Sequence, residues 1–169
     1  MLKYTTAQVT FSEVPDEIAL TIELSNCPYR CPECHSKYLW EDIGTELTSE
    51  ELTKLIDNNK GCTCVCFMGG DKDLDDLTRL CSYILGRSDY PRRICWYTGA
   101  DKIPNHTIVG YLDYIKIGPY KSEFGPLNNP NTNQKFYARG SVLNKMDANP
   151  HMFYDITDKF WKNEENINA

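Results

Sequence analysis

The sequence predicts an α/β fold in which parallel strands alternate with crossover helices. Its 169 residues amount to about one domain, and no repeat, low-complexity tract or linker divides them. Short apolar segments rich in strand formers alternate with amphipathic segments of helical period. Each apolar segment stops at a glycine-containing or cysteine-containing loop. Strands joined in this order are typical of a parallel sheet.

The first strand is predicted over residues 17–24, where apolar and polar residues alternate. It runs into a loop that contains Cys27, Cys31 and Cys34 together with two prolines. The chemistry-bearing residues of this loop therefore follow directly on a strand.

The first helix is predicted to begin after Thr48, which stands three residues before Glu51 in the spacing of a capping box. The helix should end near Gly61. Its buried stripe is formed by Leu52, Leu55 and Ile56.

A second strand is predicted over residues 63–68 and stops at Gly69-Gly70. Asp73 is expected to cap the second helix, and Gly86 suits its end. The buried face of that helix consists of Leu74, Leu77, Cys81 and Ile84.

Two further strands are predicted over residues 94–97 and 111–117, and Thr98-Gly99 and Gly118-Pro119 close them. In parallel sheets ligands bind at the carboxyl ends of the strands. We therefore expect the loops after all four strands to gather on one rim and form a single active site.

Composition excludes several classes of partner and location. The formal net charge is −6 and no block of basic residues occurs, so a nucleic-acid partner is not expected. No apolar stretch is long enough to span a bilayer, and the first residues lack the apolar run of a signal peptide. We expect a cytoplasmic protein whose eight cysteines stay reduced.

The cysteine loop has the spacing C-x3-C-x2-C. Three thiolates can hold three irons of a [4Fe–4S] cluster, which leaves the fourth iron open to a substrate or cofactor. Electron-carrier ferredoxins normally provide a fourth cysteine. Structural zinc also takes four closed ligands, and His35 could complete such a site only with difficulty because it adjoins Cys34. A zinc or purely structural cluster is the alternative.

The other five cysteines are expected to be small buried hydrophobes. Cys62, Cys64 and Cys66 alternate and should share one face of a strand, so a metal site there is the alternative. Cys81 and Cys95 fit core positions.

The ordered motifs resemble the radical S-adenosylmethionine superfamily and, within it, the activating proteins of class III (anaerobic) ribonucleotide reductase. The resemblance spans most of residues 18–160. It is carried by the cysteine loop with the following His35, by Phe67-Met68-Gly69-Gly70-Asp71, by Trp96-Tyr97-Thr98-Gly99, by Gly118-Pro119-Tyr120 and by Thr132-Asn133-Gln134-Lys135.

The resemblance implies an incomplete TIM-like barrel of parallel strands, formed as one domain over residues 1–169. Its core would cover about 17–120, and about 121–169 would form a cap or partner-binding segment. It also implies that Cys27, Cys31 and Cys34 bind a [4Fe–4S] cluster. The residues then expected to contact S-adenosylmethionine are Glu33, His35, Gly69, Gly70, Asp71 and Tyr97.

The physical reasons for two of these contacts can be read from the residues. Without a Cβ, Gly69 and Gly70 would let backbone groups approach the methionine end of the cofactor. Asp71 would attract the cofactor's ammonium group. A plain strand-ending turn followed by a helix cap is the alternative.

The resemblance further implies an enzyme that cleaves S-adenosylmethionine reductively and removes a hydrogen atom from a glycine of the reductase's large subunit. No acid–base dyad is expected, because the cofactor carries the chemistry. An electron donor such as flavodoxin or ferredoxin would be a second partner. Alternatives are another glycyl-radical enzyme or a small molecule as the target, or a non-enzymatic zinc or iron–sulfur module.

Overall fold

The computed structural model describes residues 1–88 and 93–161. Residues 162–169 of the predicted C-terminal segment therefore lie outside the described residues. The helices are α1 (Ser49–Asp57) and α2 (Leu74–Leu85). The strands are β1 (Lys3–Thr10), β2 (Ala19–Leu24), β3 (Thr45–Glu46), β4 (Cys64–Met68), β5 (Arg93–Tyr97), β6 (Tyr114–Ile117), β7 (Lys135–Arg139) and β8 (Phe153–Asp155).

All eight strands belong to one mixed sheet, in the order β3-β1-β2-β4-β5-β6-β7-β8. The four central strands β2, β4, β5 and β6 are parallel, as the sequence predicts. The flanking strands β1, β3, β7 and β8 pair with their neighbours in antiparallel orientation, and the sequence did not predict them. Within the described residues β3 and β8 are free edges, so the sheet is not a complete barrel. The α/β class is confirmed.

The sheet extends beyond the predicted core of residues 17–120. β1 precedes that range, and β7 and β8 follow it. β1 pairs with β2, β7 pairs with β6, and β8 pairs with β7. Two strands of the expected C-terminal segment, β7 and β8, thus belong to the same sheet. The predicted core limits do not mark an edge of the fold.

Both helices begin where the sequence places them. The Thr48 side chain accepts a hydrogen bond from the Glu51 amide at 3.1 Å, and Asp73 does the same for the Asp76 amide at 3.0 Å. The Glu51 carboxylate does not complete a capping box, because it accepts from the Tyr4 hydroxyl at 2.7 Å. Neither helix is long and apolar enough to cross a membrane, nor is any other in the described residues.

The two faces of the sheet bury different side chains. On the outer face, large apolar residues of the central strands pack against α1 and α2. The residues of β2 on this face are Leu20, Ile22 and Leu24, all almost fully buried. Burial of this apolar area is the main stabilising contribution to the fold. Both helices therefore cover the same face.

The inner face carries no α-helix in the described residues, and its cysteine, aromatic and polar side chains stand in cross-strand rows. One row pairs Cys66 of β4 with Cys95 of β5 and continues to Tyr114 of β6. The row nearer the carboxyl ends pairs Met68, Tyr97 and Lys116. Part of this face is covered by a second apolar cluster that includes Val14, Phe136 and Ile156.

Candidate active site

The loops after the four parallel strands meet around one cavity of ≈180 Å³. Cys27, Cys31 and Cys34, from the loop after β2, all line it. The other strand ends contribute Gly69, Asp71, Thr98, Gly99, Gly118 and Pro119. The convergence expected from the strand ends is therefore present, with Gly70 as the exception.

The cysteine loop is held in a defined conformation by its backbone. Asn26 and Arg30, the residues before Cys27 and Cys31, have φ values of 61° and 45°. Such left-handed conformations are uncommon outside glycine and persist only where surrounding contacts fix them. Here the Cys27 amide donates to the Leu39 carbonyl at 2.9 Å, and the Asn26 amide donates to a neighbouring carbonyl at 3.0 Å.

Polar hydrogens of the backbone point at the sulfur atoms of the loop. The Ser36 amide donates to Cys34 Sγ at 3.3 Å. Burial raises the pKa of Cys27, and hydrogen bonds from the amides of Tyr29 and Arg30 oppose that shift. Amide donors around sulfur stabilise thiolate charge. The loop thus provides part of the environment that a thiolate ligand needs.

The donor set fits a cluster with three protein ligands. Thiolates are the ligands that iron–sulfur clusters take, and no fourth cysteine is among the residues lining this cavity. The buried indole N–H of Trp40, also in the lining, has no hydrogen-bond partner among the described residues. Such a donor is suited to a bound acceptor. Residues 1–88 and 93–161 contain no preformed group of His, Cys, Asp or Glu able to hold one metal ion. A site for a single metal ion needs several ligands that point at one position, whereas a cluster needs only one thiolate at each iron that the protein holds.

Asp71 is a partly buried carboxyl group in the turn after β4. Burial raises its pKa, and hydrogen bonds from Thr98 and Tyr29 oppose the shift. The Thr98 hydroxyl donates to Asp71 Oδ1 and accepts from the Ala100 amide at 3.0 Å. The carboxylate is thus positioned at the cavity by Thr98, which follows directly on β5.

The two glycines after β4 have different surroundings. Gly69 lines the cavity with φ of 101°, and its carbonyl accepts from Trp96 Nε1 at 2.8 Å. Gly70 is buried against the outer core, where a Cβ would lie 2.8 Å from Leu24 Cδ1 and 3.1 Å from Leu77 Cδ2. The structure brings Gly69 to the predicted site and gives Gly70 a packing role.

Lys116 is a site residue that the sequence analysis did not single out. It is 9% exposed, and its Nζ donates to the Gly118 carbonyl at 2.7 Å. Burial lowers its pKa to about 8, opposed by the negative charges of Cys31, Asp71, Cys27 and Cys34. A lysine inside the apolar strand Tyr114–Ile117 is the signal that could have revealed it, because lysine is rarely buried without a function or partner.

A larger cavity of ≈870 Å³ adjoins the first on the inner face of the sheet. The two share the lining residues Met68, Tyr97, Lys116 and Gln134. His35 lies in the lining of the larger cavity only, and its ring centroid is 5.1 Å from that of Tyr120. Tyr97 therefore lines the same cavity as the thiols, whereas His35 lines only the adjoining one.

Glu33 does not line either of these cavities. It is exposed and borders a separate cavity of ≈300 Å³ with Pro32 and residues 120–123. The structure thus places its side chain on the outer side of the cysteine loop.

The other five cysteines are buried, and the eight form no disulfide bond. Cys64, Cys66 and Cys95 share the inner face. Cys62 does not lie with them, because it precedes β4 and packs in the outer core. The alternation expected for Cys62 fails because its amide closes a turn onto the Asn59 carbonyl.

Comparison of the chain with family models, curated proteins and solved structures gave no significant match.

Proposed function

We propose that the chain is a radical S-adenosylmethionine activase that generates the glycyl radical of an anaerobic ribonucleotide reductase. The observation that carries the proposal is the cavity at the strand ends. It is lined by three cysteines in C-x3-C-x2-C spacing together with Gly69 and Asp71.

Cys27, Cys31 and Cys34 would hold a [4Fe–4S] cluster, with one iron left to the cofactor. When bound and reduced, the cluster would supply the single electron for reductive cleavage of S-adenosylmethionine. The protein's own part is to bind, orient and exclude water. The incomplete barrel belongs to the proposal, supported by the placement of both helices on the outer face.

Asp71 and Lys116 are the charged side chains suited to the methionine end of the cofactor. An ionised Asp71 would attract the ammonium group, and Lys116 would attract the carboxylate. Both line the thiol cavity. Their opposite charges would therefore set the orientation of the cofactor's amino acid moiety in the cavity.

The remainder of the cofactor would extend toward Tyr97 and the larger cavity. The two cavities share the lining residues Met68, Tyr97, Lys116 and Gln134. Of the other residues expected to bind the cofactor, His35 borders this space, Glu33 could contribute only through its backbone, and Gly70 acts through packing.

The reductase large subunit as partner, and flavodoxin or ferredoxin as electron donor, follow from the motif resemblance. A reducing, cytoplasmic setting belongs to the proposal, because thiolates that hold a cluster must stay reduced. A different glycyl-radical enzyme or a small molecule as target would leave the cavity chemistry unchanged, so the test must include the partner.

The test is anaerobic reconstitution of the full chain with iron and sulfide, followed by reductant and S-adenosylmethionine. We expect about four irons per chain and release of 5′-deoxyadenosine. Addition of the candidate reductase should give a glycyl-radical signal in electron paramagnetic resonance. A reconstituted cluster that never cleaves S-adenosylmethionine would refute the activity, and one zinc without sulfide would favour a structural module.

A further inference from the structure

Tyr29 lies between Cys27 and Cys31 and reaches from the cysteine loop to the sheet. Its ring packs against Gly99, where a Cβ would lie 2.5 Å from Tyr29 Cδ2 and 2.7 Å from Cγ. These distances are far inside van der Waals contact. Any side chain at Gly99 would therefore displace the ring.

Gly99 does not need to be glycine for its backbone conformation. It is absent from the positive-φ glycines, which include Gly69 and Gly118. An alanine could adopt the same backbone without strain. The space occupied by the Tyr29 ring is thus the physical requirement at this position.

The Tyr29 hydroxyl joins the ends of two strands. It interacts with the Thr98 hydroxyl after β5 and with the Asp71 carboxyl group after β4, and it lowers the pKa of that carboxyl. Thr98 itself donates a hydrogen bond to Asp71, so the Tyr29 hydroxyl faces two side chains that are already bonded to each other. The backbone hydrogen bonds of Asn26 and Cys27 attach the loop to residues 39–41, which are not part of the sheet.

We propose that Tyr29 is a positioning residue that latches the cysteine loop onto Gly99 and Asp71, and thereby fixes the thiols over the ends of β4 and β5. The inference rests on the proposed function for what the thiols hold. The latch itself is a property of the metal-free chain.

The first measurement is the alkylation rate of individual cysteines in the metal-free full chain, with iodoacetamide as probe and peptide mass spectrometry as readout. Tyr29→Ala should raise the rates at Cys27 and Cys31 about tenfold, because local opening becomes easier. Tyr29→Phe keeps the ring on Gly99 and should raise them much less. Cys81, fully buried in the outer core, should stay unreactive in every variant and reports an intact fold.

Gly99→Ala provides a matched variant on the other side of the contact. Because its methyl group expels the ring, it should raise the same rates about tenfold. The double variant Tyr29→Ala/Gly99→Ala should match either single variant, since both remove one latch. The proposal would be overturned if the two substitutions had independent effects, so that their rate increases multiplied in the double variant. Unchanged alkylation rates in Tyr29→Ala would also overturn it.

The second measurement uses the reconstituted protein. Tyr29→Ala should raise the KM for S-adenosylmethionine about tenfold, with a smaller change in kcat, and Tyr29→Phe should restore most of the affinity. A wild-type chain that shows the alkylation pattern but never cleaves S-adenosylmethionine would support the latch and refute the proposed function. A chain that cleaves S-adenosylmethionine while Tyr29→Ala keeps wild-type KM would overturn the positioning role.

Discussion

Cysteines occur in two contrasting regions, the loop after β2 and the inner face of the sheet. Cys27, Cys31 and Cys34 are partly exposed and line a cavity with Asp71 and Lys116. Cys64, Cys66 and Cys95, the inner-face cysteines, are 0% exposed. Burial raises the pKa of Cys64 and Cys95 well above the ordinary value.

The surroundings of a cysteine decide whether it can act as a metal ligand or only as a core residue. A thiolate must be reachable and its charge compensated, and the loop offers backbone amides and a nearby ammonium group. The inner face offers mainly apolar neighbours, which favour neutral thiols acting as small hydrophobes.

Replacing a loop cysteine should have the largest effect. Cys27→Ala is expected to abolish stable cluster assembly and reduce 5′-deoxyadenosine release to background, because one iron loses its ligand. Thermal unfolding of the metal-free variant should be nearly unchanged. Cys95→Ala is the matched control and should retain about four irons per chain. If Cys27→Ala retained its iron, the loop cysteines would not be the cluster ligands that set this region apart from the inner face.

Burial of Lys116 should make the stability of the folded chain depend on pH. In the metal-free chain its pKa falls from 10.5 to about 8, so between these values the unfolded chain binds more protons than the folded chain. The buried ammonium therefore destabilises the fold fully below about pH 8, and this cost fades as the pH rises toward 10.5.

Lys116→Met should accordingly raise the free energy of unfolding by up to about 3 kcal/mol at pH 7, with the gain shrinking above pH 8. Gln134 Nε2 still donates to the Gly118 carbonyl at 3.3 Å in its absence. Denaturant unfolding at several pH values measures the difference. A gain that stays constant to pH 10.5 would contradict the assignment of the shift to Lys116.

Asp71→Asn tests the charge on the loop side without removing the side chain. The amide can still accept from Thr98, so the fold should persist, while attraction for the cofactor ammonium is lost. We expect the KM for S-adenosylmethionine to rise about tenfold and iron content to stay unchanged. Asp76→Asn, on α2 outside the cavity lining, is the control. Equal kinetics for both variants would remove Asp71 from the binding site.

Substitution of an inner-face cysteine should produce the smallest effect on function. Cys66→Ser is expected to lower the free energy of unfolding by about 1–2 kcal/mol, because the hydroxyl is buried among apolar groups. Iron content and 5′-deoxyadenosine release should equal those of the wild type. Loss of iron in this variant would place a ligand on the inner face.

The sequence was sufficient to predict the parallel strands, both helix starts and the convergence of the strand-end loops, because each depends on local pattern. β1 and β8 were not predicted, since their side chains are only half-buried and show little periodicity. β7 alternates regularly, with Phe136 and Ala138 buried, and could have been recognised.

Other features of the site depend on tertiary packing that no local pattern encodes. Lys116 acquires its significance from the cavities on either side of it, and Gly70 from Leu24 and Leu77 behind it. The contact between Tyr29 and Gly99 joins residues seventy positions apart. The spacing of the cysteines identifies the loop, but only the fold shows that the loop contacts Gly99 through Tyr29.

The most direct test of the central claim compares iron and sulfide content after anaerobic reconstitution of the wild type, Cys27→Ala and Cys95→Ala. We expect about four irons and as many sulfides per chain in the wild type and Cys95→Ala, and a failure to retain them in Cys27→Ala. Equal cluster content in all three proteins, or zinc without sulfide in the wild type, would contradict it.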